Sequence, residues 1–400
     1  MNNYLRWTLF ISLLLLLSSC MEDIDIQMIT LDMERYIGTA VLPLDNGYMI
    51  AGFSHIGDYK DNFMLAHLDV NNTLIWHNTF ESTTLDSVSD LIQTDEGFIM
   101  VGTSRFFGIP EAKVRVVKTT EEGKLVWSRT YPLYRSFTTG ESIFAVEGGY
   151  IVGGTYIEEY KNAYIMKLDY RGNNLWMKTY KNRTDLHDMK TTENGFILVG
   201  SIDFTDYSDA VVQGNSTQYT RIQSCVSADS SNKDVWVQEI DQNGHVLWTQ
   251  HYDNDKYDSG ESILVAEDGF LIAGNTSDGK NYDFWIIKID QEGNILWSQT
   301  YDHNTDLVYD LVEIGNEYII GGNTRTINYE ATDLDSAFGE TNILIVCIDK
   351  LGREKWRKII GDPDKSEIVH SICTVNDHVI FVGGLVVNDV DKILICIYDE

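Results

Sequence analysis

The stretch that decides the fold is Ile289-Asp290-Gln291-Glu292-Gly293-Asn294-Ile295-Leu296-Trp297. It reads as the end of an apolar strand, a tight turn and the start of a second strand carrying a large ring. The Asp carboxylate accepts from the turn backbone, and Gly takes the left-handed position that other residues resist. The same order recurs at Asp169, Gly172 and Trp176, at Asp241, Gly244 and Trp248, and at Asp349, Gly352 and Trp356. Asp69, Asn72 and Trp76 form a weaker copy, and Thr120, Gly123 and Trp127 another. Four residues after a Trp comes an aromatic: Phe80, Tyr131, Tyr180, Tyr252 or Tyr301. On a strand that spacing places both rings on one face, where they can pack against a neighbouring repeat.

A second pattern precedes each of these turns. An aromatic or branched residue, apolar residues and a glycine follow a turn, beginning at Tyr48, Phe98, Tyr150, Phe196, Phe270, Tyr318 and Val379. Most copies lie roughly fifty residues apart, the spacing of propeller blades. Apolar runs of five to eight residues between turns leave little room for helix. Each repeat therefore reads as four strands, and such a wedge cannot bury both faces alone. The expected fold is all-β, a seven-bladed β-propeller of four-stranded antiparallel blades. The chain stops after a third-type strand, Ile393 to Tyr398, whereas Ile24 to Thr30 precedes the first inner strand, Tyr36 to Leu42. The N-terminal segment is thus expected to complete the last blade and remove an open sheet edge.

The first residues point to the compartment. Arg6 precedes an apolar run from Leu9 to Leu17, too short for a membrane span, which ends in Leu17-Ser18-Ser19-Cys20. This resembles the lipobox of bacterial lipoproteins, which implies a signal peptide over 1–19, a lipid on Cys20 and an anchor over 20–23 ahead of a propeller over 24–400. Met21-Glu22-Asp23-Ile24-Asp25 resembles the acidic export signal of Bacteroidetes lipoproteins displayed on the outer membrane surface. Net charge is −31, which argues against nucleic acid and against anionic headgroups. Membrane attachment is therefore expected through the lipid alone. Cys225, Cys347, Cys373 and Cys396 form no CxxC pair, and Cys347 and Cys396 sit in apolar strand patterns.

The Asp–x–x–Gly turns and outer-strand tryptophans, over nearly all of the chain after residue 20, resemble the repeat of PQQ-like, quinoprotein-type β-propellers and their non-catalytic lipoprotein relatives. The dehydrogenases of that family imply eight blades, a vicinal cysteine pair and calcium. The seven copies and the lack of adjacent cysteines in this chain do not carry those features over, so no cofactor and no metal are expected.

Strand order puts the short turns on one side of the ring and the longer connections on the other. Two insertions fall on the long-loop side, about 203–233 and 325–341. They carry Phe204, Tyr207, Tyr219, Tyr329 and Phe338, the candidate binding face, and neighbouring loops add Phe106, Phe107, Tyr134, Tyr156 and Tyr160. These rings suit a protein partner, a glycan, or simple anchoring of the loops. Eight residues before each second-strand aromatic stand Asp90, Ser142, Asp188, Ser262, Asp310 and Ser371, with Thr39 close to register. Asp90, Asp188 and Asp310 are a candidate channel ring, read either as cation ligands or as hydrogen-bonding links between inner strands. No G-x-S-x-G, H-E-x-x-H or P-loop occurs. Ser87 and Ser336, in Asp-Ser-apolar triplets, resemble Bacteroidetes O-glycosylation acceptors. The expected function is a non-catalytic binding or scaffold lipoprotein engaging an envelope protein. Glycan binding is the alternative, and a propeller lyase or hydrolase comes third.

Overall fold

The computed structural model describes residues 26–399 apart from 57–59, 107, 109–110, 133–136, 181, 205–232, 256, 303, 328–337, 363–364 and 388–389. Every helix or strand among the described residues is a strand. The N-terminal strand is β1 (Ile26–Glu34). Four strands then make the first complete sheet: β2 (Tyr36–Leu44), β3 (Gly47–His55), β4 (Asp61–Asp69) and β5 (Leu74–Phe80). The same meander repeats in β6 (Leu85–Thr94), β7 (Gly97–Arg105), β8 (Ala112–Thr119) and β9 (Leu125–Tyr131). It returns in β10 (Ser142–Val146), β11 (Gly149–Ile157), β12 (Lys161–Leu168) and β13 (Asn174–Tyr180). Next come β14 (Thr184–Thr191), β15 (Gly195–Asp203), β16 (Lys233–Asp241) and β17 (Val246–Tyr252). They are followed by β18 (Tyr257–Ala266), β19 (Gly269–Ser277), β20 (Tyr282–Ile289) and β21 (Ile295–Tyr301). A further set is β22 (Thr305–Ile314), β23 (Glu317–Ile327), β24 (Phe338–Asp349) and β25 (Glu354–Ile360). The chain finishes with β26 (Ser366–Val375), β27 (His378–Val387) and β28 (Val390–Asp399).

Within each set, consecutive strands pair antiparallel, and β28 takes β1 as its outer neighbour, with Ile26 opposite Tyr398 and Thr30 opposite Leu394. A single parallel bridge, Lys233 to Tyr257, joins β16 to β18. The fold is a β-propeller. Its second and third strands are buried on both faces, which is why they read as continuous apolar runs rather than alternating ones. Each apolar cluster is shared by two successive sheets. Phe63 and Leu65 pack with Phe98 and Met100, and Ile345 packs with Phe381 and Leu394. Val382 and Ile395 pack in turn with Ile50 and Met64 of the first sheet.

The turn chemistry holds the outer rim together. Asp290 Oδ1 accepts the N–H groups of Glu292 and Asn294 at 3.1 and 2.7 Å. One repeat then docks on the turn of the next. Tyr301 donates through its hydroxyl to the Gly352 carbonyl at 2.6 Å, and Tyr252 does the same to Gly293 at 2.8 Å. Gly352 has φ of 76°, and a Cβ there would stand 2.7 Å from the Trp297 ring. Glycine is thus required both by the turn and by the ring above it. A buried ion pair between Arg115 and Asp86 ties β8 to β6, with Arg115 also donating to the Phe80 carbonyl at 3.2 Å.

Two sequence expectations need correction. Tyr156 is not a loop residue; it is fully buried in β11. The sixth-sheet insertion is shorter than 325–341, because β23 runs to Ile327 and β24 starts at Phe338. The free, buried Cys347, Cys373 and Cys396 form no disulfide among the described residues.

Candidate functional site

The first strands β2, β6, β14, β18, β22 and β26 share an irregularity. Each skips one residue in its pairing with the second strand: Thr39, Ser89, His187, Glu261, Tyr309 and His370. A bulge breaks strict alternation and re-aims side chains. Both the bulged residue and its successor therefore line one cavity of about 480 Å³, together with Glu141, Lys161, Asp185 and Lys190. Thr39 belongs with the bulged set, and Ala40 stands where the other sheets carry Asp90, Ser142, Asp188, Ser262, Asp310 and Ser371.

The structure brings Asp90, Asp188 and Asp310 together around this cavity, each as a link between two sheets. One oxygen of each accepts the next residue's N–H: Leu91 at 2.7, Met189 at 2.7 and Leu311 at 2.9 Å. The other accepts from the following first strand: Ile143 at 2.8, Ile263 at 3.0 and Ile372 at 2.8 Å. Ser262 Oγ lies 2.9 Å from Asp310 and 3.3 Å from Asp188. Lys190, which the sequence reading passed over, places Nζ at 2.8 and 2.7 Å from the two oxygens of Asp188. Burial alone would depress its ammonium. The carboxylates of Asp188, Asp310 and Asp90 outweigh that and hold it above the ordinary lysine value. Burial pushes Asp90 up to about 6 and raises Asp310 as well. The cation of this ring is thus supplied by the chain itself. Among the described residues no group of three or more His, Cys, Asp or Glu side chains is arranged to hold a metal ion.

Beside the ring, His187 is clamped. Its Nδ1 lies 3.1 Å from Glu261 Oε2 and its Nε2 3.5 Å from Asp185 Oδ2. Lys161 pairs with the same Asp185. Burial opposes the charged imidazole, but Glu261 and Asp185 prevail and hold it well above the usual histidine range. An imidazolium so held lacks the lone pair a general base needs. Ser259 Oγ and Asn275 Nδ2 donate to Glu261 at 2.5 and 3.1 Å, fixing the acceptor in place. Burial raises the Glu141 carboxyl. Burial also lowers His370 to about 4, and its ring meets Tyr309 edge-on at 5.7 Å between centroids. Among the described residues no hydrogen bond reaches the His370 imidazole. The wall is a polar surface with a neutral aromatic pair, able to receive a small polar ligand or an inserted side chain.

The other singled-out residues are more dispersed. Phe204 follows β15 and lies against His251 at 5.3 Å between centroids, with His251 Nδ1 2.8 Å from Asp234. Phe338 opens β24 opposite Ile327. Phe106 receives the Lys113 ammonium 4.9 Å from its ring, and Tyr160 the Arg183 guanidinium at 3.6 Å. Ser87 stands in mid-strand opposite Thr103, its neighbour Asp86 buried against Arg115. Cys20, Phe107, Tyr134, Tyr207, Tyr219, Tyr329, Ser336 and Cys225 lie outside the described residues.

No family model matches the chain, and no curated protein does. Among solved structures it is similar to Sqt1 from Chaetomium thermophilum, at 11% identity over 90% of this chain and 84% of that one, TM-score 0.46. It is also similar to an acylaminoacyl peptidase from Pyrococcus horikoshii, at 12% identity and TM-score 0.40, over 77% of this chain and 46% of that chain.

Proposed function

We propose that this protein is a closed seven-bladed propeller, lipid-anchored through Cys20 at the outer membrane surface, that binds an envelope protein partner through its long-loop face without catalysing a reaction. The pairing of β1 with β28, and the cluster joining Val382 and Ile395 to Ile50 and Met64, support closure. One observation carries the binding role. The connection between β15 and β16 spans residues 204–232, and the channel cavity includes Ile157 and Lys161, which end β11 and begin β12. The strand ends that the longest connection joins, Asp203 and Lys233, and the cavity-lining Ile157 and Lys161 therefore lie at the end of their sheets opposite the short turns. Long connections on a rigid scaffold are where recognition is placed.

Affinity purification of the whole chain from envelope membranes tests this. A single defined partner is expected, and it should be lost when 205–232 is deleted. Recovery of that partner by the deleted form would remove the reading. Changing Cys20 to Ser should release the protein from the membrane fraction. A second reading, capture of a glycan, is favoured by the cavity itself, which Tyr309, His370, Ser89 and Glu141 all line. It expects saturable binding to one member of a glycan panel, abolished in Tyr309→Ala. Failure to bind any member would exclude it.

A further inference from the structure

The fourth strands carry a second series of bulges. In β5, β9, β13, β17, β21 and β25 the residue just before the Trp is skipped in the pairing with the third strand: Ile75, Val126, Leu175, Leu247, Leu296 and Lys355. The Trp turns toward the next sheet, and the bulge throws its predecessor outward. Five of the six are large aliphatics, and their exposures lie between 47% and 54%. A single exposed Leu needs no account, but the same exposed aliphatic at one bulge around a rim does. The series lies at the short-turn end of the outer strands, where the turn residues Val70, Tyr170 and Leu351 are also more than half exposed.

The direction of β1 says what covers this rim. Ile26 pairs with Tyr398, next to Asp399, which faces His378 at the β26–β27 turn. The strand therefore starts at the short-turn end and runs toward the long-loop end. Six residue steps separate Cys20 from Ile26, and at about 3.5 Å per step they reach roughly 20 Å. A lipid on Cys20 would thus lie within reach of the short-turn rim, at the end of the sheets opposite the strand ends at Asp203 and Lys233. We infer that the short-turn rim, through Ile75, Val126, Leu175, Leu247 and Leu296, rests on the lipid surface to which Cys20 tethers the chain, with the long-loop face turned outward. This inference rests on the lipid anchor proposed above.

Charge sets the depth and the lipid. Asp69, Asp169 and Asp349 fold back on their own turns, where backbone N–H donors hold them below the usual carboxylate range. They stay ionised and stop the rim at the headgroups. A net charge of −31 selects a zwitterionic rather than an anionic surface.

The test uses the whole lipidated chain in phosphatidylcholine vesicles containing spin-labelled phosphatidylcholine. Cys347, Cys373 and Cys396 are buried. With Cys225 changed to Ser, a fluorophore is placed through Leu296→Cys at the rim or Lys280→Cys on the opposite face. The expected result is loss of most emission at position 296 and none at 280. Changing the other four aliphatics to Ser should reverse much of that loss without altering the circular dichroism. A vesicle-bound chain whose position-296 label stays unquenched overturns the lipid-facing rim and leaves the anchor standing. A chain that does not associate with vesicles overturns both. Quenching at 280 reverses the orientation. Shielding of position 296 in detergent that grows with protein concentration assigns the rim to a second copy, and so also overturns the inference.

Discussion

Replacing Lys190 with Met asks whether the channel ring is held by its own cation. Lys190 chelates Asp188 at 2.7 and 2.8 Å and faces Asp310 and Asp90 across the cavity. Removing one partner of a fully buried ion pair costs about 3–5 kcal/mol. Here 42% of the lysine side chain borders the channel while Asp188 is only 15% exposed, so solvent screening reduces the cost to about 2 kcal/mol. Unfolding a chain of this length carries an entropy of about 0.8 kcal/mol/K, so the melting temperature should fall by roughly 2–3 °C. The pH dependence separates charge from packing. Asp90 and Asp310 have folded values above their unfolded ones, Asp90 at about 6. Such groups bind protons more tightly in the folded state. The stability they withhold at neutral pH returns as pH falls through about 6 toward 4. Without the ammonium that lowers both, this recovery should be larger. Thermal unfolding followed by near-ultraviolet circular dichroism should show the deficit of the variant at pH 7.5 shrinking by pH 5. A variant as stable as the parent at pH 7.5, or one whose deficit widens in acid, would refute the reasoning.

Arg115→Met should cost about 3–5 kcal/mol, because it strands Asp86, whose side chain has no exposure; a melting temperature within one degree of the parent would contradict this. Gly352→Ala should lose about 1–3 kcal/mol from its left-handed φ and its contact with Trp297. Tyr301→Phe beside it should lose about 1 kcal/mol. Denaturant titration with an unchanged m-value checks both. In nitrogen-15 spectra, the His187 imidazole, held by Glu261 and Asp185, should lose its proton at a higher pH than an ordinary histidine, while His370 stays neutral down to pH 5.

The architecture was legible because its chemistry is repeated and local. Asp290, Gly293 and Trp297 state their turn in nine residues, and the ring-on-glycine contact between Trp297 and Gly352 follows from the same spacing. Counting back from the second-strand aromatics found Asp90, Asp188 and Asp310. It missed their neighbours, since ideal alternation sends the preceding residue to the opposite face. The bulges at His187, Glu261, Tyr309 and His370 bring those residues into the cavity as well. Lys190 had a signal: it lies two positions after Asp188, on the same side of the strand. The aliphatic–Trp dipeptides also repeat, but only the pairing shows that the bulge exposes the aliphatic partner. The long connections offered no such handle. Tyr207, Tyr219 and Tyr329 sit in stretches without a period, where composition speaks of chemistry and not of position.

The ring claim is tested most directly at the β1–β28 pair. Met28 stands opposite Cys396, and directly opposed strand positions meet the Cα separation of a disulfide. In Met28→Cys under mild oxidation, the account expects an intramolecular disulfide between positions 28 and 396, identified by peptide mass and by faster migration on a non-reducing gel. A folded protein in which both thiols stay free, or in which position 28 cross-links only between molecules, would contradict it.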